Sequence, residues 1–169
     1  KRRKRMKFEI TLKAEFYNKS PNTLFKVNNA ITAEENNFID GKEKIIMFEA
    51  DVRQGKNLLE IERKNKTIDD TLVEDGQIVK DSTIKIIEVL MDRNVVGRAG
   101  QYPFLLDSAD YFPEYPEPWY TEQREKGDTP PESYKHCQIL NHNGSWKLQF
   151  ENPVDYWFFE YYSGKRKFR

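Results

Sequence analysis

The sequence predicts an all-β protein, a single antiparallel β-sandwich of jelly-roll-like type with basic arms at its ends. Three observations predict it. Apolar and polar residues alternate over several short segments. Turn-forming residues separate those segments at short intervals. No stripe of helical period runs long enough to make an amphipathic helix.

The elements follow in order. From Lys7 to Tyr17, Phe8, Ile10, Leu12, Ala14 and Phe16 share one face, and Lys7, Glu9, Thr11, Lys13 and Glu15 share the other. That is a half-buried strand. Pro21 breaks the chain in an Asn18–Asn22 turn, and Thr23–Val27 forms a second short strand. Residues 28–37 are polar and fit a loop or one helical turn. In Lys44–Val52, Ile46, Phe48, Ala50 and Val52 alternate, and the turn Gln54–Asn57 leads to Leu59 and Ile61 pointing inward. A polar, acid-rich loop follows, in which Asp75-Gly76 suits a tight turn. Ile84, Ile86, Val89 and Met91 build the next strand. Ile87 breaks its period, which predicts a bulge or burial on both faces.

Residues 107–134 change texture. Pro113, Pro116, Pro118, Pro130 and Pro131 are expected to exclude a regular helix or a central strand. Eight acids stand there against Arg124 and Lys126. A long loop of this kind is usually functional or mobile. Asn143-Gly144 then suits a hairpin turn joining Cys137–Asn141 to Trp146–Glu151, where Trp146, Leu148 and Phe150 share a face. Val154–Tyr162 reads as a last aromatic strand.

The 169 residues suit one domain: residues 1–7 as a basic arm, 8–163 as the sandwich and 164–169 as a basic tail. Formal net charge is zero by cancellation. The ends carry ten positive charges and leave the body at −10. Arg2, Arg3, Arg5, Lys165, Arg166, Lys167 and Arg169 read either as solvated tails or as docking groups for an acidic neighbour. No RNA-binding aromatic motif accompanies them, so specific nucleic-acid binding is not expected. Lys1–Arg5 read as the continuation of an upstream segment or as a remnant ahead of Met6. The lone Cys137 makes no intrachain disulfide, and no apolar run is long enough to span a membrane.

Two candidate sites emerge. Asp69, Asp70, Asp75 and Asp81 offer oxygens of the kind calcium takes, although the spacing is not that of an EF-hand. The other reading is a solvated loop whose Asp and Asn residues make turns. Tyr111, Phe112, Tyr115, Trp119 and Tyr120 offer rings for stacking on sugar faces, for a protein contact, or for a flap over the sandwich. Catalysis is not expected. Alternation puts His136 and Cys137 on opposite faces, and no P-loop, dinucleotide motif, zinc cluster or nucleophile elbow is present.

The segment Asn57–Asp92, NLLEIERKNKTIDDT followed by VEDGQIVKDSTIKIIEVLMD, resembles calcium-dependent xylan-binding β-sandwich modules in its L-x-I strand, acidic loop and I-x-I strand. It is also similar to small structural proteins of tailed phages of aquatic bacteria, which share the N-K-T-x-x-D-T texture and an ending like N-G-S-W-K-L-Q-F-E-N-P-V-D-Y-W here. The phage likeness runs from Phe8 to Phe159. The sugar-module likeness covers under half the chain and leaves out the Pro-rich stretch. The phage resemblance implies a non-catalytic virion decoration protein of capsid, neck or tail. Such a protein would be assembled in the host cytoplasm and would contact other virion proteins and copies of itself. The module resemblance implies the alternative, a calcium-dependent carbohydrate-binding module for polysaccharide or host-surface glycans.

Overall fold

The structure, a computed structural model, describes residues 4–99 and 108–163. Among them the strands are β1 (Lys4–Glu15), β2 (Asn22–Val27), β3 (Ala30–Glu35), β4 (Lys42–Val52), β5 (Gly55–Lys64), β6 (Leu72–Glu74), β7 (Gln77–Lys80), β8 (Thr83–Met91), β9 (Asn94–Arg98), β10 (Asp110–Pro113), β11 (Tyr134–Lys135), β12 (Ile139–Leu140) and β13 (Gly144–Asn152). Helices α1 (Trp119–Glu125) and α2 (Val154–Tyr162) and a 3-10 turn at Ile68–Asp70 complete them.

The strands build two antiparallel sheets and a hairpin. One sheet runs β4–β1–β8, with β9 and β12 pairing successive stretches of β8. The other runs β11–β10–β13–β5–β2–β3, and β6–β7 form the separate hairpin. The predicted all-β sandwich is the observed fold. Its interior is where the alternation places it: Phe8, Ile10, Leu12 and Ala14 of β1 are fully buried, as are Leu59 and Ile61 of β5 and Trp146 and Leu148 of β13. Each such large apolar side chain contributes about 1.5–3 kcal/mol relative to exposure. Rings join the sheets. Phe8 stacks on Phe48 at 5.1 Å and meets Phe150 of the opposite sheet edge-on at 5.8 Å, while Phe48 also meets Phe25 of that sheet at 5.7 Å.

The bulge expected at Ile87 is present, since Thr11 pairs with Glu88 and Leu12 with Ile86. Asp75 and Gly76 turn the β6–β7 hairpin, both with positive φ, at 52° and 76°. Four expectations are corrected. Residues 28–37 are no loop or helical turn. Asn28 and Asn29, at φ of 50° and 70°, make a two-residue turn that sends β3 back along β2. Cys137–Asn141 does not form a hairpin with β13, because β12 pairs with β8 in the opposite sheet and the 141–143 turn crosses between sheets. Val154–Tyr162 is a helix, with Val154 and Trp157 buried at helical spacing and Tyr156 and Phe159 exposed. The basic arm is shorter than expected: β1 begins at Lys4, Met6 is buried, and Arg5 pairs with Glu49 and Asp51. Arg2, Arg3, Lys165, Arg166, Lys167 and Arg169 lie outside the described residues.

The Pro-rich stretch also holds more regular structure than its prolines suggest. Pro113 ends β10, and the other four lie outside its helix and strands. Pro118 precedes α1, whose first turn is tied by the Thr121 N–H donating to Glu117 Oε1 at 3.0 Å. β10 joins the sheet through β13. Gly144 is needed at that junction, because a Cβ there would lie 2.2 Å from the Phe112 carbonyl oxygen and φ is +147°.

Candidate functional site

Two neighbouring features occupy the end of the sandwich where β5 stops and β13 starts. The first is the acidic loop after β5. Asp70 is buried at the end of the 3-10 turn. Its carboxylate accepts the Thr67 N–H at 2.7 Å, the Asn18 amide at 3.1 Å and the Lys19 ammonium at 2.6 Å. Burial pushes this carboxyl up, but the bonds from Lys19, Thr67 and Asn18 outweigh it and hold it below 3.8. Asp81 Oδ1 accepts the Ser82 N–H and the Thr71 hydroxyl, each at 2.8 Å, and pairs with the Lys66 ammonium at 2.8 Å. Its carboxyl is also held low against burial, by Lys66 first, then the Ser82 N–H and Thr71. Lys66 is pushed down because burial of its ammonium exceeds the pull of Asp81.

Lys66 also reaches the 141–143 turn. Its ammonium donates to the Asn141 carbonyl at 2.5 Å, its N–H donates to Asn143 Oδ1 at 2.9 Å, and the Asn143 amide returns to the Lys66 carbonyl at 3.0 Å. Beneath lies Arg63, buried on the inward face of β5. Its guanidinium donates to the Ser82 and Leu140 carbonyls at 2.8 and 2.6 Å and to the Ser82 hydroxyl at 2.5 Å. No carboxylate is among these bonds. Burial lowers its pKa to about 10, and Asp81 and Asp70 oppose that shift from further off.

The second feature is an open cleft of about 560 Å³ lined by Pro113, Tyr115, Tyr120, Thr129, Pro130, Pro131 and Glu132. Tyr115 organises it. Its ring stacks with Tyr120 at 5.3 Å, tilts against Trp119 at 5.6 Å and meets His142 edge-on at 5.3 Å. Its hydroxyl donates to the Pro131 carbonyl at 2.5 Å and lies 3.4 Å from that of Tyr134. Burial and the Tyr134 bond push that hydroxyl up. Arg124 sits over the Tyr120 ring at 5.6 Å. The 141–143 turn backs the cluster: the Glu114 N–H donates to the Asn143 carbonyl at 2.7 Å, and the Tyr111 hydroxyl donates to the His142 carbonyl.

The predicted residues therefore part company. Tyr115, Trp119 and Tyr120 come together at the cleft. Tyr111 does not, being buried in β10. Phe112 points elsewhere, with the Lys147 ammonium 5.0 Å from its ring centre. The four aspartates are not one cation site. Asp70 and Asp81 each hold a lysine, Asp75 turns the hairpin, Asp69 is exposed, and among the described residues no group of three His, Cys, Asp or Glu is placed to hold a metal. Calcium takes six to eight oxygens, so this set does not fit it.

The surroundings of Cys137 disfavour its thiolate. Burial pushes its thiol up, and Sγ donates to the Ile139 carbonyl at 3.0 Å. His142 is pushed down, by burial first and then by Lys66. Sequence reasoning missed Lys19, Lys66, Asn143, Arg63, Thr129 and Glu132. Arg63 alone had a signal, a charge at the inward position that follows Leu59 and Ile61.

No protein-family model matches the chain, and no curated protein sequence matches it. Among solved structures the chain is similar to vCBM60 in complex with galactobiose, at 8% identity and a TM-score of 0.48, over 83% of this chain and 96% of that one. It is similar as well to a selenomethionine form of vCBM60, described with the circular permutation that links two families of calcium-dependent carbohydrate binding modules. That match has 8% identity and a TM-score of 0.47, over 83% of this chain and 89% of the other.

Proposed function

We propose that the chain is a non-catalytic binding module whose cleft at Tyr115, Tyr120 and Pro130–Pro131 takes a neutral saccharide. The cleft itself carries this reading. It is open to solvent, walled by tyrosine and proline rings, and lined by four side-chain polar groups, the Glu132 carboxylate and the hydroxyls of Thr129, Tyr115 and Tyr120. Rings and a few fixed polar groups are the usual lining of a small-molecule site. Trp119 and Tyr134 stand exposed nearby, at 38% and 39%. The lining holds one acid, Glu132, and the segment 107–134 that supplies the cleft is acidic, with eight Asp and Glu against Arg124 and Lys126, which disfavours an acidic polysaccharide.

A virion role, whether in capsid, neck or tail, rests on the sequence resemblance alone, and no contact among the described residues favours it over a saccharide. The test is calorimetric titration with neutral xylo-, galacto- and gluco-oligosaccharides. Saturable binding to at least one of them is expected. Tyr120→Ala should weaken it by at least about tenfold, the loss of roughly 1.4 kcal/mol, and Glu132→Gln should weaken it too. A panel without a saturable binder, or binding that survives both substitutions, removes the proposal.

A further inference from the structure

We propose that Lys19 and Lys66 are tethered cations of the acidic loop, so that two ammonium groups order it and calcium does not. Each ammonium sits among oxygens. Lys19 Nζ lies 2.6 Å from Asp70 Oδ2 and 3.2 Å from the Thr67 hydroxyl. Lys66 Nζ lies 2.8 Å from Asp81 Oδ1 and 2.5 Å from the Asn141 carbonyl oxygen. These are carboxylate, hydroxyl and carbonyl oxygens, the ligand types calcium takes, already turned toward positive charge.

The charge balance leads to the same conclusion. Asp70 and Asp81 carry two negative charges. Lys19 and Lys66 neutralise them, and buried Arg63 adds a third positive charge within electrostatic reach of both carboxylates. A divalent cation at Asp81 would be repelled by Lys66 and Arg63, and one at Asp70 would meet Lys19 at contact as well. It would also have to displace Lys66, whose side chain is only 12% exposed.

The arrangement has a second effect. The Lys66 bonds to Asn141 and Asn143 fix the turn that presents His142 to Tyr115 and Trp119. The lysine that replaces the ion thus also supports the back of the cleft. The inference stands apart from the saccharide reading, because its test uses no saccharide.

The experiment uses the full chain. Calcium chloride is titrated into it by calorimetry, and melting is followed in calcium and in chelator. No saturable heat is expected, and the two melting temperatures should agree within about 1 °C. Saturable heat, or a rise of several degrees in calcium, overturns the proposal. Lys19→Met and Lys66→Met are then compared with the parent by melting and by hydrogen exchange over residues 65–72, 81–83 and 141–143. A fall of roughly 3–10 °C with faster exchange in those stretches is expected, and Lys66→Arg should restore part of the protection. Unchanged exchange in both methionine variants overturns the proposal. If either variant fails to fold, the calcium titration of the parent chain still decides.

Discussion

The rings of the sandwich interior and the rings of the cleft belong to the same chemical class and live under different constraints. Phe8, Phe25 and Phe150 are buried between two hydrogen-bonded sheets, with half-buried Phe48 among them. Their positions follow from strand pairing, so each has one place to go. Tyr115, Trp119 and Tyr120 lie in a segment whose prolines lack N–H donors and cannot add bonds to a ladder. They are held by one another, by a tyrosine hydroxyl on a proline carbonyl and by the turn behind them. The lesson is that the interior derives its order from strand pairing, whereas the cleft combines one short helix and single backbone bonds with contacts between side chains.

The largest break in this comparison should come from the interior. Phe8→Ala removes a ring that contacts Phe48 and Phe150, and should cost about 3–5 kcal/mol in urea unfolding. Arg63→Met should rank next. It leaves the Ser82 and Leu140 carbonyls without their buried donor, at about 1–3 kcal/mol for each group left unpaired.

Acid should act more gently. The Asp70 and Asp81 carboxyls titrate lower in the folded chain than in the unfolded one. Their contribution is therefore complete above 3.8 and is lost as pH falls through the lower folded values. Melting temperature should drop across that window, and Asp81→Asn should flatten the drop. The smallest effect on stability should be that of Tyr120→Ala, roughly 1 kcal/mol or less, since a stacked aromatic pair at a half-open site is worth little more. A loss above about 3 kcal/mol would mean that the cleft rings belong to the folding core after all.

Much of the sandwich is legible in the chain because period-two alternation and turn chemistry agree there. β1 and β13 bury one full face each, and Asp75-Gly76 turns as its residue types require. β3 is not legible by the same rule. Its burial pattern shows no clean alternation, and its turn uses Asn-Asn in place of a residue followed by glycine. β12 is only two residues long, and its partner lies more than fifty residues earlier, which no local pattern reveals. The aromatic content of Val154–Tyr162 suggests a strand, yet the burial of Val154 and Trp157 three residues apart makes it a helix. At the site, the rings are visible in the sequence while their partners are not. Lys66 reads as an ordinary surface lysine until the fold brings Asp81 and Asn141 to it across 15 and 75 residues.

One consequence of the Lys19–Asp70 and Lys66–Asp81 pairs concerns supply. A free ion stabilises a site only as far as its concentration exceeds its dissociation constant, so the stability it gives varies with the surrounding medium. An ammonium joined to the chain by its own side chain is delivered with every molecule synthesised and cannot be diluted away. A loop fastened in this way keeps its shape in calcium-poor fluid as in calcium-rich fluid. What it responds to instead is acidity, which discharges the carboxylates and leaves Lys19 the Thr67 hydroxyl and Lys66 the Asn141 carbonyl to hold.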